Sequence, residues 1–408
     1  MTIKWGVKKL KRLLMLGGAS FQVPAIIKAR KMGHYVITCD YLVENPGHQY
    51  AHEYHNVSTL DKEAVLSLAK SLKVDGIVCY AADSGAPTVA YVAEKLGLPS
   101  NPYRSVEILF KKDLFRDFLK NNGFHTPRAK GYYTFEEAKT DFYNFNMPVM
   151  VKPVDAAGSR GISKIDSIEL LQEKVEYALR FSREKRFIIE EFIEKIGYQV
   201  EGDGFSVNGK LVFRSFANNH FTTHAANSFN PIGESWPCNM PKYIQHKMHD
   251  ELQRLLDLLN MKTGPYNFDI QIDEQENIYI LDMGARNGGD LFSQLIKYAT
   301  GIDIIEYTIK AALGEGCSDL TMVEPKGYWS SYMINSQKSG IFKGVEIDDE
   351  IIKNNIVECN LQVNPGERIF PSKGTSKEIG MLVLKYSSMS EMLEKMANMS
   401  KSLRVIVE

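Results

Sequence analysis

Cysteine is scarce in this sequence, and its positions follow no recognisable pattern. The chain of 408 residues contains five cysteines, and none of them belongs to a CxxC pair. Cysteine-based zinc sites and disulfide frameworks depend on cysteines at regular spacings, so neither is expected here. Scattered cysteines are instead typical of proteins in a reducing compartment, which predicts a cytoplasmic location.

Long apolar runs and an excess of charge of one sign are also missing. Lys and Arg total 49, Asp and Glu total 50, and the formal net charge is −1. This balance gives no electrostatic reason to expect nucleic acid or an acidic membrane as a partner. No apolar run approaches the ~20 residues of a membrane span. The apolar run Leu13–Leu16 is shorter than the roughly 7–15 residues of a signal-peptide core, so we expect a solvated basic end and then a strand.

The common nucleotide-binding motifs are absent as well. Neither GxxxxGK(S/T) nor GxGxxG occurs, so the sequence gives no motif evidence for a P-loop or a dinucleotide-binding site. The sequence also contains no internal repeat and no low-complexity tract. At ~150 residues per domain, its length predicts two or three globular domains.

The most informative feature that is present is a pair of aspartates, Asp269 and Asp282. Apolar and polar residues alternate over Phe268–Asp273, as in a strand, and Ile278–Met283 has the pattern of a second strand. If Glu274–Asn277 form the hairpin loop, the two aspartates lie opposite each other with Cβ atoms ~5 Å apart, where like charges are destabilising. A divalent cation would turn this repulsion into a binding site, because Mg²⁺ is typically held by one or two carboxylates and substrate phosphates. An ordinary solvated hairpin is the alternative, and this segment alone does not decide between them.

A strand that ends in a lysine precedes a loop rich in small residues. Pro148–Lys152 is apolar up to its last residue, and Pro153–Ile162 contains two glycines. Glycines let a backbone approach phosphate oxygens closely and direct its N–H groups at them. A lone lysine at the end of an apolar strand needs a partner, so we favour a phosphate-binding role for Lys152 over a solvated one.

The first 109 residues alternate between strand and helix patterns, which predicts parallel βαβ units. Ligands of such sheets bind beyond the carboxyl ends of the strands, where Gly17, Gly18, Asp40 and Asp83 fall. A tight turn is the favoured interpretation of the two glycines, and Asp83 could equally contact a ligand or cap a helix. The predicted strands are Leu13–Leu16, Tyr35–Asp40 and Gly76–Tyr80, and the predicted helices are Val23–Met32, Glu63–Leu72 and Thr88–Leu96.

The middle of the chain contains a long polar segment, Asn218–Met240, between two amphipathic helix patterns. It predicts a structureless loop of the kind that is often functional. We interpret its histidines, His220 and His224, as solvated. The helix patterns that flank the segment are Glu169–Arg180 and Gln245–Leu259.

Together these segments resemble the ATP-grasp superfamily, which includes biotin carboxylase, carbamoyl phosphate synthetase and D-alanine–D-alanine ligase. The resemblance covers nearly the whole chain. Leu13–Asp40 is similar to the Rossmann-like domain that precedes the grasp, and Lys112–Gly123 to the helix that carries the first ATP lysine. Asp155–Gly161 is similar to the flexible phosphate loop, and Ile188–Ile193 to the strand and hinge that hold adenine.

The resemblance implies an α/β fold with three parts. These are a Rossmann-like N-terminal domain (1–109), a two-lobed ATP-grasp domain (110–325, with a mobile lid at about 127–197) and a small C-terminal α+β subdomain (326–408). The last part has strand patterns at Tyr328–Ile334 and Met381–Tyr386 and a helix pattern at Ser390–Ser402. It resembles the closing subdomain of biotin carboxylase and its relatives.

The resemblance also implies a reaction and the residues that perform it. The enzyme would be an ADP-forming ligase that activates a small-molecule carboxylate as an acyl phosphate and joins it to an amine. Its cofactors would be ATP and Mg²⁺, with Mn²⁺ as an alternative, and whether it forms a homodimer is left open. The implied ATP-binding residues are Lys112, Lys152, Gly158, Ser159, Gly161, Glu190, Glu191, Phe192, Ile193 and Gln199; the metal ligands are Asp269 and Asp282; and the catalytic residues are Arg286 and Asn287, with the Gly288 and Gly289 backbone as helpers.

Two positions depart from the family pattern. The family commonly places an asparagine two residues after the second acid as a metal ligand, and this chain has Gly284. It often places a glutamate on the ribose, where this chain has Gln199, with Glu201 as the alternative. The second acid, Asp282, is also shorter than the usual glutamate. The number and geometry of bound metals therefore stay open.

Several assignments have simpler alternatives. Lys111 competes with Lys112, although the family register favours Lys112. Glu190 and Glu191 could be a surface charge pair, and Phe192 and Ile193 are interpreted as core side chains whose backbone holds the base. At the level of function, the alternatives are a carbamoyl-phosphate-type or bicarbonate-using carboxylase and a non-catalytic nucleotide-binding protein. Arg286 has its own structural alternative, an ion pair with Asp282 or Asp290.

Overall fold

The computed structural model describes residues 10–221, 229–289, 291–371 and 379–408. Strands and helices alternate at the start of the chain, and antiparallel sheets follow. The fold class is therefore α/β, as predicted. Across the described ranges, no helix combines the length and the apolar character that crossing a bilayer requires.

The chain begins with a parallel sheet. Its elements are β1 (Arg12–Leu16), α1 (Val23–Lys31), β2 (Tyr35–Cys39), β3 (Glu53–His55), α2 (Lys62–Leu72), β4 (Gly76–Val78) and α3 (Ala86–Leu96). The strands lie in the order β3-β2-β1-β4. Apolar residues of β1 pack against α1 on one face and against α2 and α3 on the other, which explains the continuous apolar run of this strand. The predicted βαβ units are confirmed.

A small antiparallel sheet follows a pair of helices. The helices are α4 (Tyr103–Phe110) and α5 (Lys112–Asn121). The sheet and its covering helices comprise β5 (Ala129–Tyr132), α6 (Phe135–Asp141), β6 (Val149–Pro153), β7 (Ser163–Ile165), α7 (Leu171–Phe181) and β8 (Phe187–Glu191). The strand order is β5-β8-β6-β7, and the sheet shares a separate apolar core with both helices. The structure thus has a compact unit within the segment predicted as a lid.

The largest sheet carries the acid pair. Its strands up to residue 284 are β9 (Gln199–Val207), β10 (Lys210–Phe221), β11 (Pro231–Trp236), β12 (Gly264–Ile272) and β13 (Ile278–Gly284), in the order β13-β12-β9-β10-β11. Helix α8 (Lys242–Leu258) shares an apolar core with β9, β10, β12 and β13. One face of this sheet is therefore buried, which leaves the alternate side chains of its strands for the opposite face.

The prediction of a structureless loop over Asn218–Met240 is wrong for the described parts of this segment, and residues 222–228 lie outside the described residues. Strands β10 and β11 both extend into this segment and pair with each other. Its polar residues are compatible with strands because their side chains bond to neighbours: Asn218 donates to Ser235 at 3.1 Å and Asn219 donates to Glu201 at 2.9 Å. A polar composition alone could not reveal these partners.

The last part of the chain continues the largest sheet. After α9 (Phe292–Thr300) and α10 (Ile304–Ala312) come β14 (Tyr328–Ile334), β15 (Gly340–Ile347), α11 (Asp349–Asn354), β16 (Ile356–Leu361), β17 (Arg368–Ile369), β18 (Gly380–Tyr386), α12 (Met389–Ser402) and β19 (Leu403–Val407). Strands β14, β18 and β16 extend the large sheet beyond β11, and β17, β15 and β19 form a sheet of their own. The large sheet has no break at residue 325, so the division into domains stays a prediction.

Candidate active site

A cleft of about 1920 Å³ brings together residues from the parallel sheet, the small sheet and the large sheet. All of the predicted site residues line this cleft except Gly161, Asn287 and Gly288. The cleft is thus the place where widely separated motifs of the sequence meet.

Asp269 and Asp282 lie opposite each other on β12 and β13, as predicted. The predicted loop Glu274–Asn277 is one residue too short, because β12 already ends at Ile272, and a β-bulge beside Asp269 restores the opposition. Burial, together with the negative charge of Asp282, raises the pKa of Asp269. A bound cation would offset this repulsion, so the pair suits Mg²⁺. Within the described ranges, no group of three or more His, Cys, Asp or Glu side chains is arranged for a metal. Phosphate and water oxygens would therefore complete the coordination.

A row of polar side chains borders the acid pair. Gln199 Nε2 donates to Asp269 Oδ1 at 2.9 Å, and Gln271 Nε2 donates to Gln199 Oε1 at 3.0 Å. Glu201 on β9 is in register with Asp269, and Asn267 Nδ2 donates to Glu201 Oε1 at 3.4 Å. Both candidates for the ribose position, Gln199 and Glu201, thus line the cleft, and their roles stay predictions.

Lys112 is anchored at the start of α5. Its backbone N–H donates to Val154 O at 2.9 Å, which ties the helix to the end of β6. Its Nζ donates to Ala156 O at 3.0 Å and lies 3.3 Å from Asp282 Oδ2. Lys111 instead pairs with two glutamates and does not line the cleft. This geometry supports the family register that favours Lys112.

Lys152 belongs to a buried charged network. It pairs with Glu190, whose other oxygen accepts from Arg116 Nε at 2.9 Å. Burial alone would raise the pKa of Glu190, but the positive charges of Arg116 and Lys152 outweigh it and lower the pKa to about 2. Glu190 is 2% exposed, so the alternative of a surface charge pair is wrong.

The loop Asp155–Gly161, called the glycine loop below, contains residues in left-handed backbone conformations. The φ angles of Gly158, Ser159 and Gly161 are 66°, 53° and 75°. Ser159 Oγ donates to Phe229 O at 2.9 Å, a contact between the loop and the segment before β11. A Cβ at Gly161 would lie 2.9 Å from Phe181 Cδ2, so this glycine serves packing against α7 rather than contact with the cleft.

The segment after β8 lines the cleft with half-buried side chains. Phe192 N–H donates to Pro148 O at 3.0 Å, and Lys164 Nζ lies 3.5 Å from the centre of the Phe192 ring. Phe192 and Ile193 are therefore not core residues, and that interpretation is wrong. Glu191 accepts from the Asn146 N–H at 2.8 Å, which positions the end of the strand.

Arg286 forms a two-point ion pair with Asp83, a residue of the first sheet's edge. Arg286 Nε lies 2.6 Å from Asp83 Oδ1, and Arg286 Nη2 lies 2.7 Å from Asp83 Oδ2. Burial opposes ionisation of Asp83, but the charge of Arg286 prevails and holds its pKa below the ordinary value. The alternative pairing with Asp282 is not seen, and Asp290 lies outside the described residues. Asp83 thus lines the cleft and does not cap α3, whose N-cap is Gly85.

Asn287 and Gly288 do not face the cleft. Asn287 is fully buried, and its Oδ1 accepts from Thr308 Oγ1 at 2.8 Å. The Gly288 N–H donates to both oxygens of Asp203, at 2.8 and 3.0 Å. The predicted roles of Asn287 and of the Gly288 N–H at the reacting centre are therefore not supported by their positions. Gly289 does line the cleft.

His220 is also buried. It lies within β10, is 5% exposed, and its Nε2 is 2.8 Å from Ser235 Oγ. Burial lowers its pKa to about 4. The solvated interpretation is therefore wrong for His220, and His224 lies outside the described residues.

The space beside Gly17 and Gly18 at the carboxyl edge of the first sheet is filled by the protein itself. A Cβ at Gly17 would lie 2.1 Å from Gln22 Oε1, and one at Gly18 would lie 2.3 Å from His48 Cε1. Asp40 accepts hydrogen bonds from its own loop. These contacts favour the tight-turn interpretation of the two glycines.

Two residues of the site were missed, although their spacing indicates them. Arg116 lies one helical turn after Lys112, on the same side of α5. Asn267 lies two residues before Asp269, on the same face of β12, and donates to Asp203 at 3.1 Å. The helical spacing of four residues from Lys112 and the strand spacing of two residues from Asp269 would have identified both residues.

Residues 145–294 match the ATP-grasp domain family. Among curated proteins, an uncharacterized protein of Sinorhizobium fredii is 24% identical over 340 residues, which cover 81% of this chain and 69% of that protein. The carbamoyl phosphate synthase large chain of Thermoanaerobacter sp. is 23% identical over 60% of this chain, but the match spans only 22% of that protein's length.

Solved structures share the fold along almost the whole chain. The L-amino acid ligase of Bacillus licheniformis has a TM-score of 0.81 and 20% identity, covering 98% of this chain and 100% of that one. The biotin carboxylase domain dimer of the Hydrogenobacter thermophilus 2-oxoglutarate carboxylase, in complex with MgADP, ADP and bicarbonate, has a TM-score of 0.75 and 16% identity, covering 98% and 91%. The resemblance to the ATP-grasp superfamily is confirmed over residues 145–294, and the solved structures show that the fold is shared along the rest of the chain.

Proposed function

We propose that this chain, whose residues 145–294 match the ATP-grasp domain family, is an ATP-dependent ligase that forms an amide through an acyl phosphate. The observation that carries the proposal is the meeting of Lys112, Lys152, the Asp269–Asp282 pair and Arg286 in one cleft. The fold neighbours include an L-amino acid ligase. Another neighbour, the biotin carboxylase domain of 2-oxoglutarate carboxylase, was solved with MgADP, which supports ATP and Mg²⁺ as the cofactors.

The lysines and aspartates would prepare ATP for transfer of its γ-phosphoryl group. Lys112 and Lys152 would act as point charges on the phosphates, and their carboxylate neighbours hold both side chains in place. Asp269 and Asp282 would hold Mg²⁺, which supplies positive charge at the phosphate oxygens. The glycine loop with Gly158 would lie over the phosphates and exclude water.

The chemistry would follow in two steps. A carboxylate oxygen of the acid attacks the γ-phosphorus, the bond to the β-phosphate oxygen breaks, and ADP leaves with an acyl phosphate formed. The amine nitrogen then attacks the acyl carbon, phosphate leaves, and the nitrogen loses a proton. Arg286 would stabilise the oxyanion that develops on the acyl oxygen. Water exclusion protects the acyl phosphate from hydrolysis.

The test is ADP release with paired acids and amines, followed by mass spectrometry of the product. Acid alone should release little ADP, and acid with amine much more. Hydroxylamine in place of the amine should yield the hydroxamate of the acid, and bicarbonate belongs in the panel as the carboxylase alternative. Carboxylate oxygen labelled with a heavy isotope should appear in the released phosphate. If the label never reaches phosphate while ATP is consumed, no acyl phosphate forms and the ligase proposal fails.

A further inference from the structure

The ion pair between Asp83 and Arg286 joins parts of the chain that are 203 residues apart in sequence. Asp83 follows β4 in the first sheet, and Arg286 follows β13 in the large sheet. Both side chains are largely shielded, with 23% and 14% of their areas exposed. Two parallel contacts of this kind fix the orientation of a guanidinium as well as its position.

Gly284 provides the space for this pair. A Cβ at Gly284 would lie 2.4 Å from Asp83 Oδ1 and 3.2 Å from Arg286 Nε. The φ angle of Gly284 is not in the left-handed region, so the backbone itself would accept other residues. Glycine is therefore needed here because the Asp83 carboxylate occupies the space that a side chain at position 284 would fill. The departure from the family pattern at this position has a steric explanation.

Arg286 keeps donors for a further partner. A guanidinium has five N–H groups. Two of them contact Asp83, and one on Nη1 donates to Asn287 O at 2.9 Å. One N–H on each terminal nitrogen remains without a partner in the described part of the chain. Arg286 lines the cleft, so these groups are available to an oxygen atom of a reacting molecule.

We infer that Asp83 is a positioning residue for Arg286, and that Gly284 is the space this arrangement requires. The inference rests on the proposed function, since it assigns the held guanidinium to the reacting acyl oxygen. It also means that the site is complete only when the first sheet is docked against the large sheet. The purpose of the pair is then orientation of a donor at the reacting centre, and not only attachment of two parts of the chain.

The test compares Asp83→Ala, Gly284→Ala and the double variant with wild type. Asp83→Ala should lower kcat for amide formation roughly 100-fold, because small misplacements of a catalytic group have effects of that size. The KM for ATP should change little. The ratio of ADP released to amide formed should rise. Attack by the amine becomes slow when the oxyanion is not stabilised, and water then hydrolyses the waiting acyl phosphate. Loss of folded protein alone would lower both rates together and leave this ratio unchanged.

Gly284→Ala should produce the same defect by displacing Asp83. In the Asp83→Ala background it should have little further effect, since the collision with the Asp83 carboxylate is gone and the released Arg286 side chain can move away from the added methyl group. Glu44→Ala, an exposed carboxylate of the first part of the chain, and Gly316→Ala, where an added Cβ meets nothing within 4 Å, are the matched controls. A wild-type kcat and ADP-to-amide ratio in Asp83→Ala, or additive effects of the two substitutions, would overturn the inference.

The outcome stays separable from that of the proposed function. If wild-type protein forms no amide with any pair of substrates, the proposed function fails, and with it the role at the acyl oxygen. Thermal unfolding of the same four proteins then still decides the spatial claim. Non-additive midpoints for Asp83→Ala and Gly284→Ala support the assigned space, and additive midpoints reject it.

Discussion

Each of the two cleft lysines has a carboxylate beside it. Lys112 lies near Asp282 and Lys152 pairs with Glu190. These contacts hold the ammonium groups inside the cleft, where an isolated charge would be unfavourable. Glu190 is itself held by Arg116, so its negative charge is shared between two cations. The lysines are therefore positioned by contacts within the protein.

Removal of either lysine should weaken nucleotide binding. A hydrogen bond to a charged group contributes about 1.5–3 kcal/mol, so Lys112→Ala and Lys152→Ala should each lower ATP affinity roughly ten- to hundredfold. Isothermal titration calorimetry measures this directly. Lys111→Ala removes a neighbouring positive charge that pairs outside the cleft, and it should bind ATP like wild type. Unchanged affinity in both cleft variants would refute the assignment.

Asp203 should make the stability of the protein depend on pH. It is fully buried, and burial raises its pKa to about 7, against ~3.9 in an unfolded chain. The folded chain therefore binds the extra proton, and the stabilisation is complete below pH ~4 and lost as the pH rises through about 7.

Urea unfolding of wild type and Asp203→Asn from pH 4 to 8 measures this effect. The free energy of unfolding of wild type should fall relative to that of the variant as the pH rises. The exposed Asp250→Asn should show no such trend. Parallel curves for wild type and Asp203→Asn would mean that Asp203 is ionised throughout the range.

At the scale of elements, the floor of the cleft depends on the close approach of β9 and β12. Gly202 lies between Glu201 and Asp203 on β9, directly opposite Phe268 on β12. A Cβ there would lie 2.3 Å from Phe268 Cε2 and 2.8 Å from Ser215 O. Glycine thus lets the aromatic ring pack against the strand itself, while the neighbouring Glu201 lines the cleft.

Gly202→Ala should lower the free energy of unfolding by about 1–3 kcal/mol, the usual effect of an overpacked core. Chemical denaturation is the measurement. Gly316→Ala adds the same methyl group where nothing lies within 4 Å, and it should change stability little. Equal stability of the two variants would show that Phe268 moves aside without penalty.

At the scale of the whole molecule, the cleft is formed by three sheets and closed by none of them alone. A ligand that contacts all three should favour the folded chain, because it binds the native state and not the unfolded one. The acid pair should make part of this stabilisation depend on metal, since Mg²⁺ relieves the repulsion between the two carboxylates.

ADP with Mg²⁺, at 100 times its Kd, should raise the free energy of unfolding by about 2.7 kcal/mol. ADP with a chelator should give a smaller shift in a thermal unfolding experiment. Asp269→Asn and Asp282→Asn should lose the metal-dependent part, while Glu274→Gln in the turn of the same hairpin keeps it. Identical shifts in thermal unfolding with and without Mg²⁺ in wild type would refute the assignment of a metal site to the two aspartates.

Local periodicity was enough to predict the elements that present the site. Alternation along Phe268–Asp273 predicted the hairpin and the opposition of Asp269 and Asp282. The connection is one residue longer than the predicted loop Glu274–Asn277, and a β-bulge beside Asp269, which the sequence did not reveal, restores the opposition. The βαβ pattern of the first sheet was also accessible, since its strands are buried and its helices lie between them. Periodicity failed over Asn218–Met240, where buried polar side chains bond to one another across strands.

The sequence by itself determined the α/β class, the acid pair and the motifs that resemble the ATP-grasp superfamily, because each rests on residues close together in the chain. Only the tertiary structure decided the partners of Glu190, the burial of Asn287 and His220, and the pairing of Arg286 with Asp83. Those contacts join residues far apart in sequence, and they depend on how whole sheets pack. Gly284 illustrates the division: the sequence shows a departure from a pattern, and the carboxylate that requires the glycine arrives from another sheet.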